Sequence, residues 1–299
     1  MYVQILSAGF LSAFLTILFT YLLKRLGKQG KLGNLYVMVR GGTPRAIGLA
    51  PLIALLLFLP FPFKNLVAIM GGMAFLDDLI GRKKISSLPV EWGQIFRGLG
   101  MILVIILGYP YLGVAAILIA LMIQPLNIAD MEPGSACSSI IIMSTLSLLI
   151  MWTLGDPDSS NLYVPWLLLA SCLGYAPLDY AGKIMLGEVG NHSFAVVLGL
   201  SFFLAGGLTG LILLFILTVL LIAFIRRKNL HSFLEKKLAI KNPTWGDYAM
   251  DILTGGGLGD LIRKIIFNDQ QVTIKNSFLI KLGFRRLLYN PFARHKPSN

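Results

Sequence analysis

Polar and apolar positions in this chain are sorted into long blocks rather than alternating residue by residue. Blocks of roughly 15 to 23 apolar residues are what helices need to cross the hydrocarbon core of a bilayer. They fall at about 3–23, 46–63, 65–80, 93–108, 111–126, 136–154, 162–178, 193–207 and 208–225. The pattern predicts an all-α fold, a polytopic membrane helix bundle with about nine transmembrane helices. Glycine and proline interrupt several blocks, at Pro60, Pro62, Gly71, Gly72 and Gly206-Gly207. Broken or tilted helices are tolerated in a bilayer where they surround a buried site, so these interruptions point to one.

Composition excludes an ordinary soluble domain: 56% of the 299 residues are hydrophobic, 13% are charged, and mean hydropathy is +0.76. Basic residues gather in alternate loops: Lys24, Arg25, Lys28, Lys31, Arg40 and Arg45, then Arg82, Lys83 and Lys84, then Lys183, then Arg226 onward. Positive charge stays on the cytoplasmic side, which puts the N-terminus outside and the C-terminus inside a multi-pass cell-membrane protein. A cleaved signal peptide is the competing reading of residues 1–23, but the basic residues follow the apolar block instead of preceding it. The formal net charge of +12 suits anionic headgroups or phosphate substrates better than nucleic acid. Cys137 and Cys172 have no ligand spacing and read as small packing residues.

The one clear shift in composition is at Arg226. It divides the chain into a transmembrane region, 1–225, and a basic cytoplasmic tail, 226–299, with an amphipathic stretch at 278–289 suited to the inner leaflet. Residues 254–260, Thr-Gly-Gly-Gly-Leu-Gly-Asp, lack the Lys-Ser/Thr ending of a phosphate loop and read as a turn.

Only nine acids occur in residues 1–225: Asp77, Asp78, Glu91, Asp130, Glu132, Asp156, Asp158, Asp179 and Glu188. Asp77 and Asp78 are adjacent carboxylates at the end of an apolar block, a costly arrangement unless a cation or proton relieves it. Asp77, Asp78, Asp130, Glu132, Asp179 and Glu188 fall at three helix-loop junctions on the cytoplasmic side. Hard oxygen ligands of this kind suit Mg²⁺, which uses one or two carboxylates together with substrate phosphates. The plainer reading is that the acids cap helices or pair with nearby lysines.

Four ordered blocks on these loops resemble the polyprenyl-phosphate N-acetylhexosamine-1-phosphate transferases, the membrane glycosyltransferase 4 group that includes the phospho-N-acetylmuramoyl-pentapeptide transferase. Arg40-Gly-Gly-Thr-Pro-Arg-Ala-Ile-Gly48 resembles K-x-x-T-P-x-x-G-G, and Phe75-Leu-Asp-Asp-Leu-Ile-Gly81 resembles D-D-x-x-G. Asn127-Ile-Ala-Asp130 resembles the start of N-x-x-D-G-x-D-G, and Met185-Leu-Gly-Glu-Val-Gly190 resembles F-M-G-D-x-G. The resemblance covers nearly all of residues 20–200. It implies transfer of a sugar-1-phosphate from a UDP-amino sugar to a polyprenyl phosphate such as undecaprenyl phosphate, with Mg²⁺ and release of UMP. Asp77 and Asp78 are then the catalytic acids, Asp78 and Glu188 the metal ligands, and Asn127 and Asp130 the groups that approach the nucleotide. Arg40 and Thr43 are candidates for phosphate contact, with Lys183 beside them. A homodimer is compatible with all of this.

The departures from the family pattern are specific. Arg40 replaces Lys, Ile47-Gly48 replaces paired glycines, Met131-Glu-Pro-Gly134 replaces G-x-D-G, and Glu188 replaces Asp. Glu132 is the available substitute for the acid lost from the third block. The family's late histidine-rich loop is reduced to His231, with His192 as a second candidate for phosphate binding. These changes leave room for an alternative, a non-catalytic relative that binds lipid phosphate or nucleotide sugar as a scaffold or regulator.

Overall fold

A computed structural model describes residues 1–38, 42–81, 83–85, 91–155 and 160–293. Arg40, Arg82, Asp156, Asp158 and His295 lie outside these residues. Among the described residues the architecture is all-α apart from one small hairpin in the first loop and a single bridge between Lys84 and Glu91, and five helices are long and apolar enough to cross a membrane. They are α1 (Tyr2–Lys28), α4 (Trp92–Leu112), α7 (Ser135–Leu154), α8 (Tyr163–Tyr180, extended at its start by the 3₁₀ turn Ser160–Leu162) and α9 (Gly187–Ile225). The other expected blocks are also helical but shorter or broken: α2 (Leu49–Phe58), α3 (Phe63–Ile80), and α5 (Ala115–Leu121) followed by α6 (Ile123–Ala129). Ten residues of α2 rise roughly 15 Å, half the thickness of the hydrocarbon core, so α2 does not cross by itself.

Side-chain size decides which face of each helix turns inward. On α1, Val3, Leu6, Phe10, Phe14 and Ile17 are exposed, while Ala8, Ser12 and Thr16 are buried. Small residues let α1 press against α8: the Ser12 hydroxyl donates to the Ser171 carbonyl at 2.7 Å. This is the packing logic of helices in lipid, where large apolar groups gain nothing by leaving the surface and small ones permit close approach.

α9 is the centre of the bundle, packed on α3, α5, α6, α7 and α8. Its residues from Val189 to Phe202 are all buried. Unbroken, 39 residues would run about 58 Å, far more than a bilayer core needs. Gly206 and Gly207 leave helical geometry and divide it, at the boundary expected between the blocks 193–207 and 208–225. Beyond that break Leu213, Ile216, Leu220 and Phe224 are exposed, as on a lipid-facing helix.

The loops that carry the basic residues meet at one end of the bundle. The Asn34 amide donates to the carbonyls of Leu79 and Ile80 at 3.0 and 2.8 Å, and the Gly48 N–H donates to Leu186 O at 3.1 Å. The hairpin pairs β1 (Tyr36–Val37) antiparallel with β2 (Thr43–Pro44) and delivers Arg45 into this junction.

The tail is a folded layer of short helices: α10 (Arg227–Leu238), α11 (Trp245–Thr254), α12 (Gly257–Phe267), α13 (Ser277–Lys281) and α14 (Phe284–Leu287). The stretch 278–289 is therefore not one amphipathic helix. Gly283 breaks it at φ 85°, where it presses against the Gly246 backbone. Residues 254–260 end α11 and begin α12, a turn between helices. Tyr248, Ile252 and Tyr289 join the main apolar core, and the Gln124 amide on α6 donates to Gly255 O at 2.8 Å.

Candidate functional site

Neighbouring residues on a helix point about 100° apart, so Asp77 and Asp78 at the end of α3 face different partners. Asp77 looks toward α4, where Arg97 Nη2 lies 3.5 Å from its Oδ2. Asp78 looks toward α9 and the first loop. Its Oδ2 accepts the Val189 N–H at 3.1 Å, and Arg45 Nε lies 3.8 Å from its Oδ1. The carboxylate thereby sits at the N-terminal end of α9, where free N–H groups and the helix dipole favour negative charge. Gly187 makes this possible. It has φ 67°, and a Cβ there would lie 2.6 Å from Asp78 Oδ2.

Arg97 joins the remaining groups. Its Nη2 donates to Glu188 Oε2 at 2.8 Å, and His192 Nε2 lies 3.0 Å from the same oxygen. With the Asn127 amide turned so that both partners are satisfied, its Oδ1 accepts from Arg97 Nη1 and Nη2 at 2.5 and 3.1 Å. Asp130, one turn beyond Asn127, is buried beside Asn191 and lies within electrostatic reach of Asp179, Glu188 and Asp78. Asp179 Oδ2 accepts the Gly134 N–H at 3.0 Å and so ties α8 to the turn that follows Asp130.

Of the residues singled out in the sequence, the structure brings together Asp77, Asp78, Asn127, Asp130, Glu188 and His192. Others stand apart. Glu132 accepts from Arg226 Nε at 2.9 Å and from the Asn229 amide, an anchor for the start of the tail rather than a replacement acid in the cluster. Lys183 is exposed and near Lys24 at the end of α1. His231 is in the tail, with Nδ1 2.8 Å from the Tyr248 hydroxyl and Nε2 3.6 Å from Glu235. Neither Lys183 nor His231 is among the groups that touch the acids. Thr43 is buried in β2, two residues before Arg45, and Arg40 is outside the described residues.

Arg97 and Arg45 are the functional groups that reading the chain for acids and motifs passed over. A signal for Arg97 was present: it is a single full charge inside the apolar block 93–108, and an ionisable residue there needs an intramembrane partner. Arg45 is concealed within a loop rich in basic residues, where it looks like one more topological charge.

Arg97 and Asn127 also line a cavity of ≈ 510 Å³ whose opposite wall is the tail. Gln94 and Gln124 add polar groups on the bundle side. Met101, Leu121, Leu253, Ile262, Ile266 and Leu287 make most of the remaining surface apolar. A mostly apolar hollow with a few convergent polar groups has the chemistry that suits an amphiphilic or partly apolar molecule.

The donor set fits a divalent ion poorly. Among the described residues, no three His, Cys, Asp or Glu side chains gather in an arrangement that could hold one. Asp78 and Glu188, the ligands implied by the family pattern, are engaged by different partners: the Arg45 guanidinium on one side, the Arg97 guanidinium and the His192 ring on the other. The chain matches no known family model and no curated protein.

Proposed function

We propose that this protein works on a polyprenyl phosphate and a UDP-amino sugar at the cytoplasmic face of the membrane, moving a sugar-1-phosphate to the lipid with release of UMP. The observation that carries this reading is convergence. Asp77 and Asp78 from α3, Asn127 and Asp130 from the end of α6, and Glu188 from the start of α9 are remote in sequence, yet they share one polar centre. These are positions at which three of the four sequence blocks resemble the transferases. In the reaction a lipid phosphate oxygen bonds to the β-phosphorus of the nucleotide sugar while the bond from that phosphorus to the bridging oxygen breaks, and UMP departs. Such a transfer depends mainly on positioning and charge neutralisation. The apolar cavity beside Arg97 suits the isoprenoid end of the acceptor, and the polar centre suits its phosphate.

A second reading rests on Arg97. A guanidinium that already holds Asp77, Glu188 and Asn127 leaves few groups free for turnover, which supports a non-catalytic relative that binds the lipid phosphate or nucleotide sugar. The deciding experiment is exchange of radiolabelled UMP into a panel of UDP-N-acetyl sugars with undecaprenyl phosphate, comparing the native chain with Asp78→Asn. Exchange that falls by about a hundredfold or more in the variant is the expected result for the enzyme. Binding of undecaprenyl phosphate without exchange of any sugar supports the second reading, and absence of both binding and exchange overturns the proposal.

A further inference from the structure

We infer that Arg97 takes the place of a divalent cation in this chain, so that a guanidinium rather than a metal ion holds Asp77, Glu188 and Asn127 in register. The inference rests on the transferase-like reading only for the expectation that a metal belongs there. The substitution itself is argued from geometry.

A divalent ion in such a site brings carboxylate and amide oxygens from separate elements to one positive centre. Arg97 does the same. It reaches from α4 to an oxygen of Asp77 on α3, an oxygen of Glu188 on α9 and the amide oxygen of Asn127 on α6, with contacts of 3.5, 2.8 and 2.5 Å. A planar guanidinium has two Nη groups that can each serve two acceptors, which a lysine ammonium on a flexible stem does not reproduce in fixed directions. Its charge also lies where the ion's would. A metal at this point would have to expel Arg97, because two like charges in a partly buried site repel strongly. The side chain is held by position as well: Arg97 projects from the second turn of α4, whose start is fixed by reciprocal hydrogen bonding between Glu91 and Gln94. Glu188 is one methylene longer than the aspartate of the family pattern. Longer reach is tolerable for pairing with a guanidinium and His192, whereas Mg²⁺ demands near-ideal octahedral geometry.

The test is titration of Mn²⁺, followed by electron paramagnetic resonance, into the full-length chain in detergent: native, Glu188→Gln, Arg97→Gln and Arg97→Lys. The native chain is expected to show no Mn²⁺ site that depends on Glu188. Arg97→Gln should gain one at least about tenfold tighter than anything seen in the native chain, because removing a nearby positive charge unmasks the acids. Arg97→Lys, which keeps a cation, should not gain it. Mn²⁺ should also raise the unfolding temperature of Arg97→Gln but not of the native chain. A Mn²⁺ site in the native chain that Glu188→Gln abolishes overturns the inference, and this measurement stands whether or not Arg97→Gln folds. A folded Arg97→Gln that takes up no Mn²⁺ overturns it as well. Neither readout requires turnover, so failure here is distinct from failure of the exchange assay, which bears on the transferase reading alone.

Discussion

Two clusters of buried charge in this protein are built on opposite plans. In the tail three acids each have their own arginine: Arg285 on Asp247 at 2.7 Å, Arg286 on Asp251 at 2.5 Å and Arg263 on Asp260 at 2.6 Å. At the junction of α3, α4 and α9, Asp77, Asp78 and Glu188 share Arg97 and Arg45, with Asp130 close by. One-to-one pairing in the tail ties α11 to α14 through Asp247–Arg285 and Asp251–Arg286, while Asp260–Arg263 lies within α12. Shared pairing leaves an excess of negative groups in a poorly solvated place. Natural proteins accept that cost where a ligand or reaction uses it.

The sharpest way to break the comparison is to remove one arginine from the tail. Arg286→Ala leaves Asp251 buried without its cation and should cost about 3–5 kcal/mol, read as a large fall in the unfolding temperature. Replacing both partners, as in Asp251→Leu with Arg286→Met, should restore most of that loss. If the double variant is as unstable as the single one, the pair is not a self-contained structural device.

Gly187→Ala tests the other cluster through its backbone. It places a side chain at φ 67° and against Asp78, and should cost about 1–2 kcal/mol from conformation alone while displacing the carboxylate. Exchange activity should be lost in parallel. Full activity in this variant would show that the position of Asp78 does not matter.

Neutralisation sharpens the contrast by its sign. Asp78→Asn relieves an over-acidic site and keeps an oxygen for the Val189 N–H, so it should stabilise by about 1 kcal/mol and raise Tm by about 2–4 °C while removing activity. Asp251→Asn should lower Tm. The same direction in both would mean the two clusters are not differently compensated. The smallest effect is expected from Gln124→Leu, which loses the bond to Gly255 O: about 1 kcal/mol, seen as faster protease cleavage of the tail with little change in the unfolding of the bundle.

Helical content was legible because bilayer thickness imposes a length on apolar blocks. Every expected block is helical, and the Gly206-Gly207 interruption marks a real break in α9. Which blocks are long enough to cross was less legible, because Pro60 and Met122 sit where α2 stops and where α5 gives way to α6, and a hydropathy window smooths over such ends. The acids could be found because carboxylates are rare between residues 1 and 225. Of their cations, Arg97 carried a signal as the lone charge of an apolar block, whereas Arg45 could not be picked out, since basic residues abound in its loop and only tertiary contact separates it from the rest.

Sequence alone determined that this is a helical protein with apolar blocks long enough to cross a membrane and few acids among them, because an apolar environment penalises charge whatever the fold. It also led to the expectation that Asp77, Asp78, Asn127, Asp130 and Glu188 lie at helix-loop junctions on one side. Tertiary structure decided that they share a centre, that Glu132, Lys183 and His231 stand elsewhere, and that Arg97 is the group on which Asp77, Asn127 and Glu188 converge. The physical reason is that apolar periodicity is a property of each segment, whereas the partner of a buried charge is fixed by which helix faces are brought within about 3 Å of one another.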